Sequence, residues 1–181
     1  MGVDPASDGF YFACVTRIPS GKYLLHGFGN IKGSYEDSVR VIKDAIDTYQ
    51  PHIICVEALA DWLSDPRRFG NLASMAEVNG IIRAVAILNG SRVEGLTVNE
   101  WRRKLKIHGK EQDKQVKALN KVLIDNFPGR GSGFVGHHND ASGIAIAAEM
   151  QYGGRMAQQT AMFNVTPPRK KGRIYAKRKA R

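Results

Sequence analysis

Four side chains able to hold a divalent cation stand at or near the ends of apolar segments of this 181-residue chain. Asp4 ends the short run GVD before Pro5, Glu57 ends HIICVE, and His137 and Asp140 lie three residues apart in HHNDASGIAIA. A carboxylate beside a buried strand is costly unless it is paired, hydrogen-bonded or bound to a metal, so each of these acids needs a partner. Clustered oxygen ligands with one imidazole suit Mg²⁺ or Mn²⁺. Taken singly, each residue has a plainer use. Asp4 forms a turn, Glu57 is a solvated strand end, His137 is a polar loop residue, and Asp140 is a helix N-cap, a role worth about 1 kcal/mol. The two readings part on whether the fold brings the four together.

The elements that must do so follow from periodicity. After the opening strand, residues 10–18 and 23–31 are apolar, strand-like runs joined by Pro19-Ser20-Gly21-Lys22, a turn of hairpin length, so three sequential strands form an antiparallel meander. Ser34-Tyr-Glu-Asp37 has the form of a capping box. Val39, Ile42, Ile46 and Tyr49 follow at spacings of three and four, which predicts a helix over 35–49, ended by Gln50-Pro51. The continuous apolar run before Glu57 has the character of a strand buried on both faces, and a helical crossover makes it parallel to the first. Further helices are predicted over 71–88, 114–126 and 141–150, and a strand over 93–98. In parallel sheets the strands adjoining a crossover end at one edge, where ligands collect. That edge would receive Asp4 and Glu57, and a short turn before the last helix would bring His137 and Asp140 to it.

Composition limits what such a site belongs to. With 43% hydrophobic residues the chain suffices for one well-cored domain and not for two large ones. No run approaches the roughly 18 consecutive apolar residues of a membrane span, and no charged and apolar leader precedes the first strand. The expectation is a soluble protein of the cytoplasm, the host cytoplasm if the source is viral. Cys14 and Cys55 sit in strand runs with no Cys-x-x-Cys pairing, as buried thiols do. The net charge of +10 is uneven: residues 155–181 hold nine Lys and Arg and no Asp or Glu, leaving +1 for residues 1–154. The division expected is a folded domain over 1–154 and a basic, disordered tail over 155–181.

GVDPAS, IICVEAL, KQVKALNKVL and HHNDASGIAIA, in this order and at these separations, resemble the RuvC family of Holliday-junction resolvases over about residues 2–150. The resemblance implies a ribonuclease H-like α/β fold, a mixed sheet of an antiparallel meander plus parallel strands flanked by helices. It implies that Asp4, Glu57, His137 and Asp140 hold two divalent ions, Mg²⁺ or Mn²⁺; the third position is Asp in some members and His in others. Two such ions serve an in-line phosphodiester hydrolysis. Lys114 is the match for a lysine assisting at the phosphate, with Lys110 and Lys117 close by. The segment DWLSDPRRFGN is a few residues longer than in typical members and carries Trp62, Arg67, Arg68 and Phe69. In the family an aromatic of this region stacks at the exchange point of the junction, a role open to Trp62 or Phe69. Arg169, Lys170, Lys171 and Arg173 of the tail complete the expected DNA contacts. The implied partner is a branched DNA junction, cut by paired nicks from a homodimer without a small-molecule cofactor or a membrane. Two alternatives stay open: the nuclease domain of a large viral terminase, and a non-catalytic basic DNA-binding protein.

A cationic arm on a nearly neutral body gives separable contributions to binding. Each phosphate neutralised on duplex arms steepens the fall of log affinity with log salt by about 0.9. Stopping the chain after Gly154 is expected to weaken binding to junction and plain duplex alike and to flatten that slope in a salt titration. An unchanged slope would make the tail a solubility device.

Overall fold

The structure, a computed structural model, describes residues 1–59, 69–109, 111–127 and 136–153, with Phe69 and Gly70 as backbone alone. Strands β1 (Gly2–Ala6), β2 (Gly9–Arg17), β3 (Tyr23–Lys32), β4 (Ile53–Glu57) and β5 (Arg92–Leu96) form one sheet in the order β3-β2-β1-β4-β5. β2 runs antiparallel to both β1 and β3, whereas β4 is parallel to β1 and β5. This is the mixed sheet that the resemblance implies. Helices α1 (Tyr35–Tyr49) and α2 (Phe69–Leu88) cover one face; α3 (Val98–Lys104), α4 (Gln112–Asn126) and α5 (His137–Ala148) cover the other.

Alternation along the strands divides the core into two clusters. Val3, Phe10, Phe12, Ile54 and Val56 pack against Ile42 and Ile46 of α1 and Val78 and Ile82 of α2. Ile53, Cys55 and Leu96 pack against Trp101, Leu119, Leu123, Ile144 and Ile146 on the opposite face. All five residues of β4 are buried, as its unbroken apolar run predicted. Both cysteines are free and buried, and burial pushes the Cys55 thiol up to about 12, which leaves it inert.

Local chemistry sets the element boundaries. Ser34 Oγ accepts from the Asp37 N–H at 3.1 Å and starts α1, which Gln50 ends in a left-handed conformation at φ 46°. β5 stops at Leu96 instead of 98, because Thr97 caps α3, a helix the periodicity did not predict. Thr97 Oγ1 accepts from the Glu100 N–H at 3.3 Å, and the Glu100 carboxylate accepts from the Thr97 N–H at 2.8 Å. α2 and α4 each begin two residues before their predicted starts. α5 begins at 137 instead of 141 and passes at its end into a π-helical turn, Glu149–Gly153. By length and composition the stretch Asn71–Leu88 of α2 is apolar enough to cross a bilayer. Its Val78, Ile82 and Ala86 instead pack in the core beneath the sheet, and its Glu77 carboxylate accepts from the Tyr35 hydroxyl of α1. Trp62, Arg67, Arg68, Lys110, Arg169, Lys170, Lys171 and Arg173 lie outside the described residues, as does the tail.

One close approach holds α5 against the sheet. A Cβ added to Gly2 would lie 2.3 Å from both the Ala141 carbonyl oxygen and the Ala145 nitrogen. Only a residue without a side chain lets β1 run this near the α5 backbone. Gly2→Ala is therefore expected to cost about 3 kcal/mol, at the upper end of overpacking penalties, read as a lowered Tm. A melting curve matching that of the parent protein would contradict this packing.

Candidate active site

Asp4 and Glu57 reach the same face of the sheet because each lies an even number of residues from its α5-facing neighbours, Gly2 and Cys55, on adjacent parallel strands. Both carboxylates are buried, at 6% and 5% exposure. The first turn of α5 crosses above them. The helix opens at Gly136, whose positive φ of 60° sets the turn, so His137 and Asp140 are its first and fourth residues. Asp140 is thus not the N-cap that its sequence position allowed. Three residues apart on a helix, it shares a face with His137.

The four candidates do not meet on equal terms. Asp4 Oδ2 and His137 Nδ1 share a hydrogen bond of 2.7 Å. Ligand atoms of Asp4, His137 and Asp140 all lie within 4.8 Å of one another, a spacing and donor set that fit a hard divalent cation. Glu57 stands beside this triad. Its Oε2 accepts from the Trp101 indole N–H at 3.0 Å, and its backbone carbonyl accepts from Asn79 Nδ2 at 3.0 Å. The indole orients the carboxylate and occupies one of its lone pairs. Trp101 stands where it does because the Thr97–Glu100 box starts α3 one residue after β5.

The sequence reading missed two contributors to the site, Trp101 and Arg102. Arg102 Nη1 donates to Gln115 Oε1 at 2.7 Å, and its guanidinium lies over the Trp101 ring at 5.0 Å. Together with Gln115, Leu119, His137, Asn139 and Asp140 it lines a cleft of about 200 Å³ beside the acids. Lys114 lies in the first turn of α4, exposed and paired with Glu111 at 2.8 Å, and Lys117 is exposed on the same helix. Phe69 begins α2. Tyr11, which pairs with Asp4 across β1 and β2, stacks on the His137 ring at 4.8 Å and 22°.

Burial and mutual repulsion disfavour the charged forms of these acids. Burial and the neighbouring Asp4 charge push Glu57 up to about 8, against the Trp101 hydrogen bond and, less strongly, Arg102. Burial and Asp4 likewise raise Asp140 to about 6, with Arg102 and His137 opposing. Burial raises Asp4 too, offset in part by its His137 hydrogen bond. That same bond is the main cause that raises His137 above its ordinary range. A cation placed among the acids would relieve all three carboxylates at once.

These shifts fix a pH dependence for the metal-free protein. Between about 4.5 and about 8, folded Glu57 keeps a proton that the unfolded chain has released, so stability falls as pH rises through that window. Asp140 acts in the same sense between 3.8 and about 6. The stabilisation from charged His137 is present below 6.5 and is lost as pH rises through its higher folded value. All three slopes have one sign. In the presence of a chelator, Tm is expected to drop from pH 5 to pH 8. Glu57→Gln keeps an acceptor for Trp101 and should raise stability at pH 8 by on the order of 2 kcal/mol. A Tm that rises over this range would contradict the buried acid cluster.

Neither a protein-family model nor a curated protein matches the sequence. Solved structures do match the fold. The Thermus thermophilus RuvC structure superposes with a TM-score of 0.68 at 18% identity, over 86% of this chain and 95% of that one. The yeast mitochondrial Holliday junction resolvase Ydc2 gives 0.56 at 13% identity, covering 87% and 82%. The fowlpox virus resolvase, solved with substrate Holliday junction DNA, gives 0.54 at 10% identity, covering 83% and 97%. The chain therefore has the ribonuclease H-like fold that these RuvC-like proteins share.

Proposed function

We propose that this protein is a metal-dependent endonuclease that resolves four-way DNA junctions by paired nicking. The observation that carries the reading is the cluster of buried Asp4, half-buried Asp140 and exposed His137 with buried Glu57 beside it, at one edge of a sheet whose fold is that of three Holliday junction resolvases. Asp4, Glu57, His137 and Asp140 would hold two Mg²⁺ or Mn²⁺ ions. Bound there, such ions supply a water acidified to a nucleophile and a positive counterpart for the departing 3′ oxygen.

The chain's own residues prepare that chemistry. The Asp4 hydrogen bond and the Tyr11 stack fix the plane of the His137 imidazole. The Trp101 indole aims the Glu57 carboxylate. Arg102, held by Gln115 and Trp101, offers a fixed cation at the cleft where a phosphate would approach the acids. Its planar fork suits a phosphate better than a free lysine does, so Arg102 is placed ahead of Lys114 for that contact. A four-way junction presents two strands related by two-fold symmetry, and a homodimer with two such sites would nick both.

Incubating the protein with a synthetic four-way junction and with linear duplex, in Mg²⁺ or Mn²⁺, tests this reading. Symmetric paired nicks in the junction and little cutting of duplex are expected. Equal duplex cleavage would point to a terminase-like nuclease, and no cleavage with firm DNA binding to a non-catalytic protein. Asp4→Asn, Glu57→Gln and Asp140→Asn should each lower single-turnover cutting by more than about 100-fold, beyond the cost of losing a supporting partner of a ligand, while junction binding persists. His137→Asp replaces imidazole with a harder oxygen ligand, and activity should move from Mn²⁺ towards Mg²⁺. An unchanged metal profile would remove His137 from the site.

A further inference from the structure

Pro5, directly after Asp4, removes a backbone donor at the level of the two strand-borne acids. β1 and β4 pair in parallel through Gly2 with Cys55 and Val3 with Val56, and the Cys55 N–H donates to the Met1 carbonyl at 2.8 Å. In such a ladder the bonds are evenly spaced, alternate residues of one strand reaching both neighbours of the residue opposite, so the N–H of residue 5 is next in line for the Glu57 carbonyl. Proline has no N–H. The pairing of β1 with β4 accordingly ends at Val3 and Val56, one step short of Asp4 and Glu57. Glu57 is 5% exposed, and a buried carbonyl left without a donor is costly.

α2 supplies the missing donor. Asn79, itself buried, donates from Nδ2 to the Glu57 carbonyl at 3.0 Å. The direction of that amide is set one turn further along the helix, where Arg83 Nε donates to Asn79 Oδ1 at 2.6 Å. A guanidinium only donates, so it draws the amide oxygen to itself and turns the amide nitrogen towards Glu57. Arg83 has room for this because β5 carries Gly95: a Cβ there would lie 3.0 Å from Arg83 Nη2. On the β5 side the Ala58 N–H donates to the Leu96 carbonyl at 2.9 Å. With the Trp101 indole on its carboxylate, Glu57 is held from both faces of the sheet, by side chain on one and by backbone on the other.

We propose that Asn79, oriented by Arg83, is a positioning residue for metal binding: it takes the place of the ladder donor that Pro5 lacks and fixes Glu57 beside Asp4 where a second cation needs it. This inference rests on the metal-dependent reading of the site. Asp4, His137 and Asp140 converge on their own, so the ion they hold does not depend on Asn79. The ion that needs Glu57 does. The two ions therefore differ in their dependence on α2, which acts through the backbone of β4 and not through a ligand atom.

The test is a Mn²⁺ titration of the full metal-free chain, read from the paramagnetic signal of the unbound ion, with Tm and circular dichroism recorded for each variant. The parent is expected to bind two ions. Asn79→Ala should weaken one of them about ten- to a hundredfold, the range for losing a partner of a ligand, and leave the other unchanged. Arg83→Met, which frees the amide to rotate, should weaken the same ion, and Arg83→Lys, which keeps a donor for Asn79 Oδ1, should restore it. Pro5→Ala added to Asn79→Ala returns an N–H to the ladder and should bring the weakened ion back towards its parent affinity. A role in stability alone would lower Tm and leave both affinities where they were. Parental binding of both ions by Asn79→Ala would overturn the proposal, as would equal weakening of the two or a loss that Pro5→Ala does not repair. If Asn79→Ala does not fold, the Arg83→Met and Arg83→Lys pair decides in the same way. Junction cleavage measured in parallel separates the two claims. Cutting by the parent protein together with unchanged ion binding in Asn79→Ala leaves the nuclease and removes the positioning role. Asn79-dependent ion binding without cutting by the parent removes the nuclease and keeps the positioning role. A parent that takes up no Mn²⁺ overturns both.

Discussion

Burying carboxylates in the wall of a sheet is the constraint on which the rest of this structure depends. Asp4 and Glu57 lie on adjacent parallel strands, both nearly sealed from water, and the first turn of α5 adds Asp140 above them. Isolated buried charge is strongly disfavoured, and here each acid raises the cost of ionising the others. Among the described residues, compensation comes from an imidazole for Asp4, an indole N–H for Glu57, and the field of Arg102. A divalent cation would offset the remaining cost, and this is why the site is proposed to hold metal and, through it, phosphate.

The remaining architecture serves to keep those acids at fixed separations. Parallel pairing of β1 with β4 sets the first two, and Gly2 admits α5 close enough to set the others. The link between Asn139 on α5 and Asn120 on α4, at 2.7 Å, ties the helix start to its neighbour. The Thr97–Glu100 capping box converts the end of β5 into a helix within one residue, which brings both Trp101 and Arg102 to the site. Asp4, Glu57, His137 and Asp140 each stand on a strand or a helix, so regular elements carry the described site. Rigid placement of this kind is what pre-organised catalysis requires.

Much of this was legible in the sequence, for physical reasons. The unbroken apolar run of β4 announced a strand covered on both faces, and Glu57 at its end had to lie at the sheet edge. Asp4 followed from the same logic, and the ordered motifs identified the fold. The boundaries of α5 were less legible. His-His-Asn-Asp carries no apolar residue to mark a helical period, so the helix was read as starting at 141, while Gly136 starts it at 137. α3 has seven residues, too few for a periodic signal, although Thr97 and Glu100 at capping-box spacing were there to be read. Arg102 was hidden in a run of cations whose default reading is a solvated face.

A titration of Mn²⁺ into the metal-free protein at pH 8, followed by the paramagnetic signal of the unbound ion, tests the central claim most directly. The account predicts saturable binding of two ions per chain, and loss of at least one of them in Asp4→Asn despite an unchanged fold by circular dichroism. Mn²⁺ that stays free at protein concentrations well above those of a working enzyme, or binding that Asp4→Asn leaves untouched, would contradict it.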